Sequence, residues 1–313
     1  MACVPWAVNE LLCSASADRD GGVASLASRR RKVLSSRMAK ATSRLLGALL
    51  LALAVVCSSK AEQVDASIES SPADQLRAAQ GEALAQWKLG IAYENGIVVP
   101  QDKREAAKWY RASADQGFAL AQLSLGLMLA SGQGGPQSFT RAAKWLTLAA
   151  KQGNAIAQLS LGVLYRDGRG VPRDDSEALK WWRLASAQRN SDAQFHLGMV
   201  YRDGVSVPRS PIVAADFFRI AANAGQIDAQ AALGDMYFRG DGVPQDYILA
   251  HMWLNLAAAQ GDATAAQSRM AVELIMSPPQ VAEAQKLARE WKPKQERLQR
   301  LMPVMGNTSR KEN

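Results

Sequence analysis

Cysteine is confined to the first 57 residues of this chain, at Cys3, Cys13 and Cys57. A chain trimmed downstream of Cys57 has no thiol, which excludes disulfides, CxxC redox chemistry and thiolate metal sites from it. Histidine is nearly as scarce, with His196 and His251 in different helices of different units. No H-x-x-x-H, C-x-x-C, phosphate-binding loop or nucleophile-elbow motif occurs. His196 occupies a place that is elsewhere Lys88, Ser124, Ser160 and Ala232, and so variable a position reads as solvated surface. His251 stands where sister units carry Ala107, Ala143, Leu179 and Ala215, and reads as a partly packed helix residue rather than a ligand. The YRDG stretches at Tyr165 and Tyr201 read as helix ends with one solvated charge pair. The sequence therefore predicts no catalytic residue, no cofactor and no metal.

A positive excess is missing from the body of the chain. The formal charge is +8, but residues 62–263 carry 19 Lys/Arg against 21 Asp/Glu. Residues 1–61 carry nine against three, and the last 50 carry nine against five. A basic nucleic-acid footprint is absent where the fold lies, so no nucleic-acid partner is expected.

Apolar runs long enough to span a bilayer are missing too. RLLGALLLALAVV, from Arg44, has the length of a signal-peptide core behind Lys40 and Arg44. Ser59 and Ala61 place small residues for cleavage after Ala61, leaving no stable membrane span. Residues 38–61 read as the signal peptide, and residues 1–37 as a start assigned too far upstream. SRRRKVL, from Ser28, loosely resembles a twin-arginine signal but sits too far from the apolar run. Lipid attachment at Cys57 is the lesser alternative, since Val56 precedes it where a small side chain is expected.

What is present is repetition. GEALAQWKLGIAYENGIVVP from Gly81 recurs every 36 residues, from Gly117, Gly153, Arg189 and Gly225, without insertion or deletion. A fixed period of this size predicts a solenoid, which grows by stacking and needs no single large core. Each unit reads as two helices. In the first, Ala157, Leu161, Leu164 and Tyr165 share one face, and Gly168 is placed for a left-handed C-cap. Pro172 forbids continuation. Two residues later Asp102, Ser138, Asp174, Ser210 and Asp246 stand as N-caps of the second helix. Glu105 and Glu177 complete capping-box patterns, and Pro211 follows Ser210 at the favoured first helical position. The second helix carries Trp109, Trp145, Trp181, Phe217 and Trp253 among small alanines. Gly90, Gly126, Gly162, Gly198 and Gly234 interrupt the first helix, each costing about 1 kcal/mol of helix propensity. The expectation is that this aromatic packs on that glycine.

The pattern A-x-x-x-L-G-x-x-Y-x-x-G-x-G-V-P followed by an alanine-flanked Trp resembles the Sel-1-like repeat, a relative of the tetratricopeptide repeat. The resemblance spans Gly81 to Gln260 in five units, with Leu129, Phe217, Arg189 and the loop GVSVP as local departures. It implies an all-α fold, a right-handed α/α solenoid of five 36-residue helix-turn-helix repeats. It also implies a scaffold for other proteins, exported in many bacteria and sometimes a periplasmic regulator or adaptor. A cysteine-rich branch is linked to β-lactam binding, but its cysteines are absent here.

Residues 62–80 read as a linker or capping segment, 81–260 as the five repeats, and 261–292 as a degenerate repeat with a capping helix. Arg269 and Met270 replace Leu-Gly there, and Ser277 begins a helix with Val281, Ala284, Ala288 and Trp291 on one stripe. Residues 293–313 read as a basic disordered tail.

The first helices hold the candidate partner site. Trp87 and Ile91, Leu123 and Leu127, Leu159 and Val163, and Phe195 and Met199 lie opposite the core face, with Asp192, Asp228 and Asp235 toward the C-terminal units. They either line a concave groove for a protein or peptide partner, apolar at one end and acidic at the other, or form a seam between successive first helices. The leading reading is a non-enzymatic exported scaffold in the bacterial periplasm. The alternative is an enzyme or ligand-binding protein acting on cell-wall or β-lactam-related material.

Overall fold

The computed structural model describes residues 72–294, which form α-helices joined by short loops. The leader readings for residues 1–61 and the tail from residue 295 lie outside the described residues. Helix α1 (Pro72–Ala79) precedes five helix pairs: α2 (Ala83–Asn95) with α3 (Lys103–Asp115), α4 (Ala119–Ser131) with α5 (Phe139–Lys151), α6 (Ala155–Asp167) with α7 (Asp175–Ala187), α8 (Ser191–Asp203) with α9 (Pro211–Asn223), and α10 (Ile227–Arg239) with α11 (Tyr247–Ala259). Helices α12 (Ala263–Glu273) and α13 (Pro278–Glu290) follow. The protein is an all-α solenoid of five 36-residue repeats with extra capping helices. Its contacts divide it into two units, residues 72–113 with 131–137 and residues 114–130 with 138–294.

Local chemistry sets the helix boundaries. First helices stop where Gly96, Gly168, Gly204 and Gly240 take left-handed C-cap geometry. Second helices start at the predicted N-caps. Asp102, Ser138, Asp174, Ser210 and Asp246 each accept a backbone N–H from the first helical turn. The reciprocal half of the predicted capping boxes is absent. The Asp102 and Asp174 amides donate instead to the Tyr93 and Tyr165 carbonyls, while Glu105 and Glu177 pair with Lys108 and Lys180. Ser138, Ser210 and Asp246 make the same backbone bond to Leu129, Tyr201 and Tyr237. This bond ties the two helices of every repeat, so the second unit loses nothing by having Leu129 in place of tyrosine.

The glycine of the first helix does meet a bulky side chain, but not the predicted one. The partner is the next residue along: Tyr110, Leu146, Trp182, Phe218 and Leu254. A Cβ at Gly198 would lie 2.6 Å from Phe218, and one at Gly126 would lie 2.8 Å from Leu146. The expected residues Trp109, Trp145, Trp181, Phe217 and Trp253 sit one position, about 100°, round the helix. The residue one turn after the glycine follows the identity of the ring. Glu94 accepts from the Tyr110 hydroxyl at 2.6 Å, and Arg166 and Arg202 lie over Trp182 and Phe218. Where the partner is leucine, that residue is Ala130 or Phe238.

Buried glutamines stitch the helices together. Gln86, Gln122, Gln158 and Gln230 donate to the carbonyls of Ala78, Ala114, Ala150 and Ala222. Gln152, Gln188 and Gln260 then donate to the Oε1 of Gln122, Gln158 and Gln230, each at 2.8 Å. In the fourth repeat Ala224 replaces this donor, and Gln194 Oε1 is buried without a hydrogen bond.

At the C-terminal end, Gln280 accepts from the Ser277 amide, as a capping box requires. Ala284 is fully buried, and Trp291 meets Trp253 edge-on at 6.2 Å between centroids.

Candidate interaction surface

Both histidines prove to be interior. His196 is 2% exposed and stacks on Trp182, with ring centroids 4.6 Å apart and planes 12° from parallel. This corrects the reading of His196 as solvated surface: Ser160, at the same repeat position, is also buried. Burial, with the Arg166 charge adding to it, lowers the His196 pKa to about 3, so the ring is a neutral core aromatic. His251 is fully buried and bonds Glu273 at 2.7 Å. Among the described residues no three His, Cys, Asp or Glu side chains cluster to hold a metal ion, and no helix is long and apolar enough to cross a membrane.

The candidate partner residues divide by exposure. Ile91, Leu123, Leu127, Leu159 and Phe195 are buried. Trp87, Val163, Met199 and Asp192 are half-buried, and Asp228 and Asp235 are exposed. Helical geometry accounts for the division. Positions i and i+7 lie almost in line, with i+3 and i+4 to either side. Ile156 and Val163 are such a line, and Leu159 and Ser160 are its buried flanks. A first helix with neighbours on both sides keeps only this narrow strip open.

Within residues 114–294 the strip changes along the repeats. Its first row runs Leu120, Ile156, Asp192, Asp228, and its second row runs Leu127, Val163, Met199, Asp235. Leu120 is 38% exposed, whereas Leu127 is buried, so the strip is narrowest in the second repeat. Gln226, the N-cap of α10, joins the two first-row carboxylates. Its Nε2 donates to Asp192 Oδ1 at 3.4 Å and Asp228 Oδ2 at 3.2 Å, while its Oε1 accepts from Ala229. The sequence reading missed this bridge, although Gln226 stands out where Asn154 and Asn190 occupy the same position. Burial raises the Asp192 pKa, the Gln226 bond opposes that, and repulsion from Asp228 adds to it. Asp235 pairs with Arg239 at 3.1 Å on the exposed face, an ion pair of little energetic weight. In the N-terminal unit, Leu84 is 43% exposed beside half-buried Trp87.

The repeat unit so described matches a known one. The Sel1 repeat is found five times in succession, at residues 83–118, 119–154, 155–190, 191–226 and 227–262. The chain belongs to the Sel1 repeat family. Among solved structures, a protective antigen present in uropathogenic Escherichia coli strains and displaying an SLR fold is 34% identical, with a TM-score of 0.62. That match covers 69% of this Sel1 repeat chain and 48% of the antigen, so this chain spans about half of the relative's length. A Sel1 repeat protein from Oxalobacter formigenes is 29% identical with a TM-score of 0.59, over 68% of this chain and 90% of that one. A search of curated proteins finds no match.

Proposed function

We propose that this Sel1 repeat protein is a non-enzymatic scaffold, exported to the bacterial periplasm, that binds a protein partner along the open strip of its first helices. The observation that carries this reading is the gradient of the strip, apolar at Leu120, Ile156 and Val163 and acidic at Asp192, Asp228 and Asp235. A partner segment fitting it is apolar at one end and basic at the other, and charge complementarity fixes its direction and speeds its association. The raised Asp192 pKa supports the reading, because a half-buried carboxylate held against its preference for water costs stability without bringing packing. The relative described as a protective antigen supports an exported setting.

The test compares capture from a bacterial envelope extract by the wild-type protein and by Val163→Asp. The proposal predicts one stoichiometric protein bound by the wild type and lost from the variant, with unchanged melting. Equal capture by both would move the site elsewhere. Hydrolysis of cell-wall material by the pure protein would replace a scaffold with an enzyme.

A further inference from the structure

Helix α12 takes the place of a first helix in a sixth unit, 36 residues on from α10. In the five repeats the middle of that helix is glycine, and a side chain of the repeat's own second helix fills the space over it. The sixth unit has Met270 at this position, and it is 52% exposed. The helix that would cover it, α13, packs on α11 instead, where Trp291 meets Trp253. Leu274, one turn further and still in helical geometry, is 82% exposed, and Ile275 is 53% exposed.

The two closing helices show solvent different surfaces. Helix α13 exposes Glu283, Lys286, Arg289 and Glu290, the polar outer face of a terminal cap. Helix α12 exposes Ala263, Thr264, Gln267, Met270 and Leu274, all uncharged. Ala263, Gln267, Met270 and Leu274 follow the i, i+4, i+7, i+11 spacing of a stripe that packs on another helix. The carboxylates at its ends are engaged. Asp262 caps the helix, and Glu273 bonds His251 and pairs with Arg269.

This row is its own complement. Turned end for end about a two-fold axis between Gln267 and Met270, it sets Ala263 opposite Leu274 and Gln267 opposite Met270, small against large. Two such rows meet without like charges, and antiparallel helices bring opposite dipole ends together. An acidic or basic partner finds no counter-charge on the row. A two-fold contact also closes on itself, so it stops at two chains.

We infer that α12 is the contact through which two copies of this chain pair. Met270 and Leu274 of one copy then meet α12 of the other, in the place that a second helix takes in each complete repeat. The inference stands whether or not the first-helix strip binds a partner.

Mixed cysteine trapping in the full chain tests it, with Cys3, Cys13 and Cys57 replaced by serine. Chains carrying Ala263→Cys and chains carrying Leu274→Cys are oxidised separately and together. The antiparallel pair predicts a disulfide between unlike chains that forms at least ten-fold faster than one between like chains. Gln267→Cys with Met270→Cys repeats the test without altering Leu274. Sedimentation equilibrium supplies a second readout. So small a contact is weak, and the average mass should rise toward that of two chains between about 1 and about 300 μM. Met270→Glu/Leu274→Glu should hold the mass at one chain with little change in melting, because both side chains are exposed. A single-chain mass throughout, association that survives the double substitution, or like chains linking as fast as unlike ones would overturn the inference.

Discussion

Gly162 has no side chain because Trp182 occupies the space one would need, and the same relation holds at the other four repeats. Leucine at this position should destabilise the protein by about 1–3 kcal/mol through overpacking, despite better helix propensity. A calorimetric melting temperature above wild type would contradict close contact there. Ala224→Gln should act in the opposite direction. It supplies the donor that Gln194 Oε1 lacks and should stabilise by about 0.5–1.5 kcal/mol in denaturant titration; no gain would mean that the donor cannot reach. His196 makes stability depend on pH. Its folded pKa of about 3 lies below the ordinary 6.5, so the unfolded chain binds more protons between those values. This contribution is intact above pH about 6.5 and falls by up to about 1.4 kcal/mol per pH unit on acidification toward 3. His196→Phe keeps an aromatic on Trp182 and should flatten that part of the profile, as unfolding free energies at pH 7 and pH 4.5 would reveal.

At the scale of the helix, the open strip and its flanks should respond differently to the same charge. Leu159→Asp buries an unpaired carboxylate and should cost several kcal/mol, with helicity lost well below the wild-type melting temperature. Val163→Asp, four residues on and half-buried, should change stability by less than about 1 kcal/mol. Similar losses in both would mean that the strip is not open. The helices themselves were legible in the sequence, because caps, prolines and left-handed glycines act within a few residues of chain. Asp174, Ser210 and Gly168 do in the structure what their positions imply. What depends on a neighbouring element was legible only in part. The glycine was rightly read as a contact position, but its partner is Trp182 rather than Trp181, because the packing of two helices selects between adjacent positions. His196 was misread because its position varies between repeats without being exposed, and the side chain that faces it varies too. His196 stacks on Trp182, whereas the repeats with Leu146 and Leu254 have no ring there. Periodicity placed Leu159 and Val163 on the outer side of the helix, but it carries no information about which of them an adjacent repeat covers.

At the scale of the molecule, a near-neutral body, a strip that passes from leucine to aspartate, and capping helices at the C-terminal end suit an extended segment better than a small substrate. The most direct measurement is fluorescence anisotropy with two labelled peptides of identical composition, one with its Leu/Ile and Lys/Arg residues in separate blocks and one with them alternating. The account predicts that the block peptide binds at least ten-fold more tightly at low salt. That advantage should shrink as salt screens the acidic end and vanish in Asp228→Lys/Asp235→Lys. Equal affinity for the two peptides, or a preference that survives the double charge reversal, would contradict it.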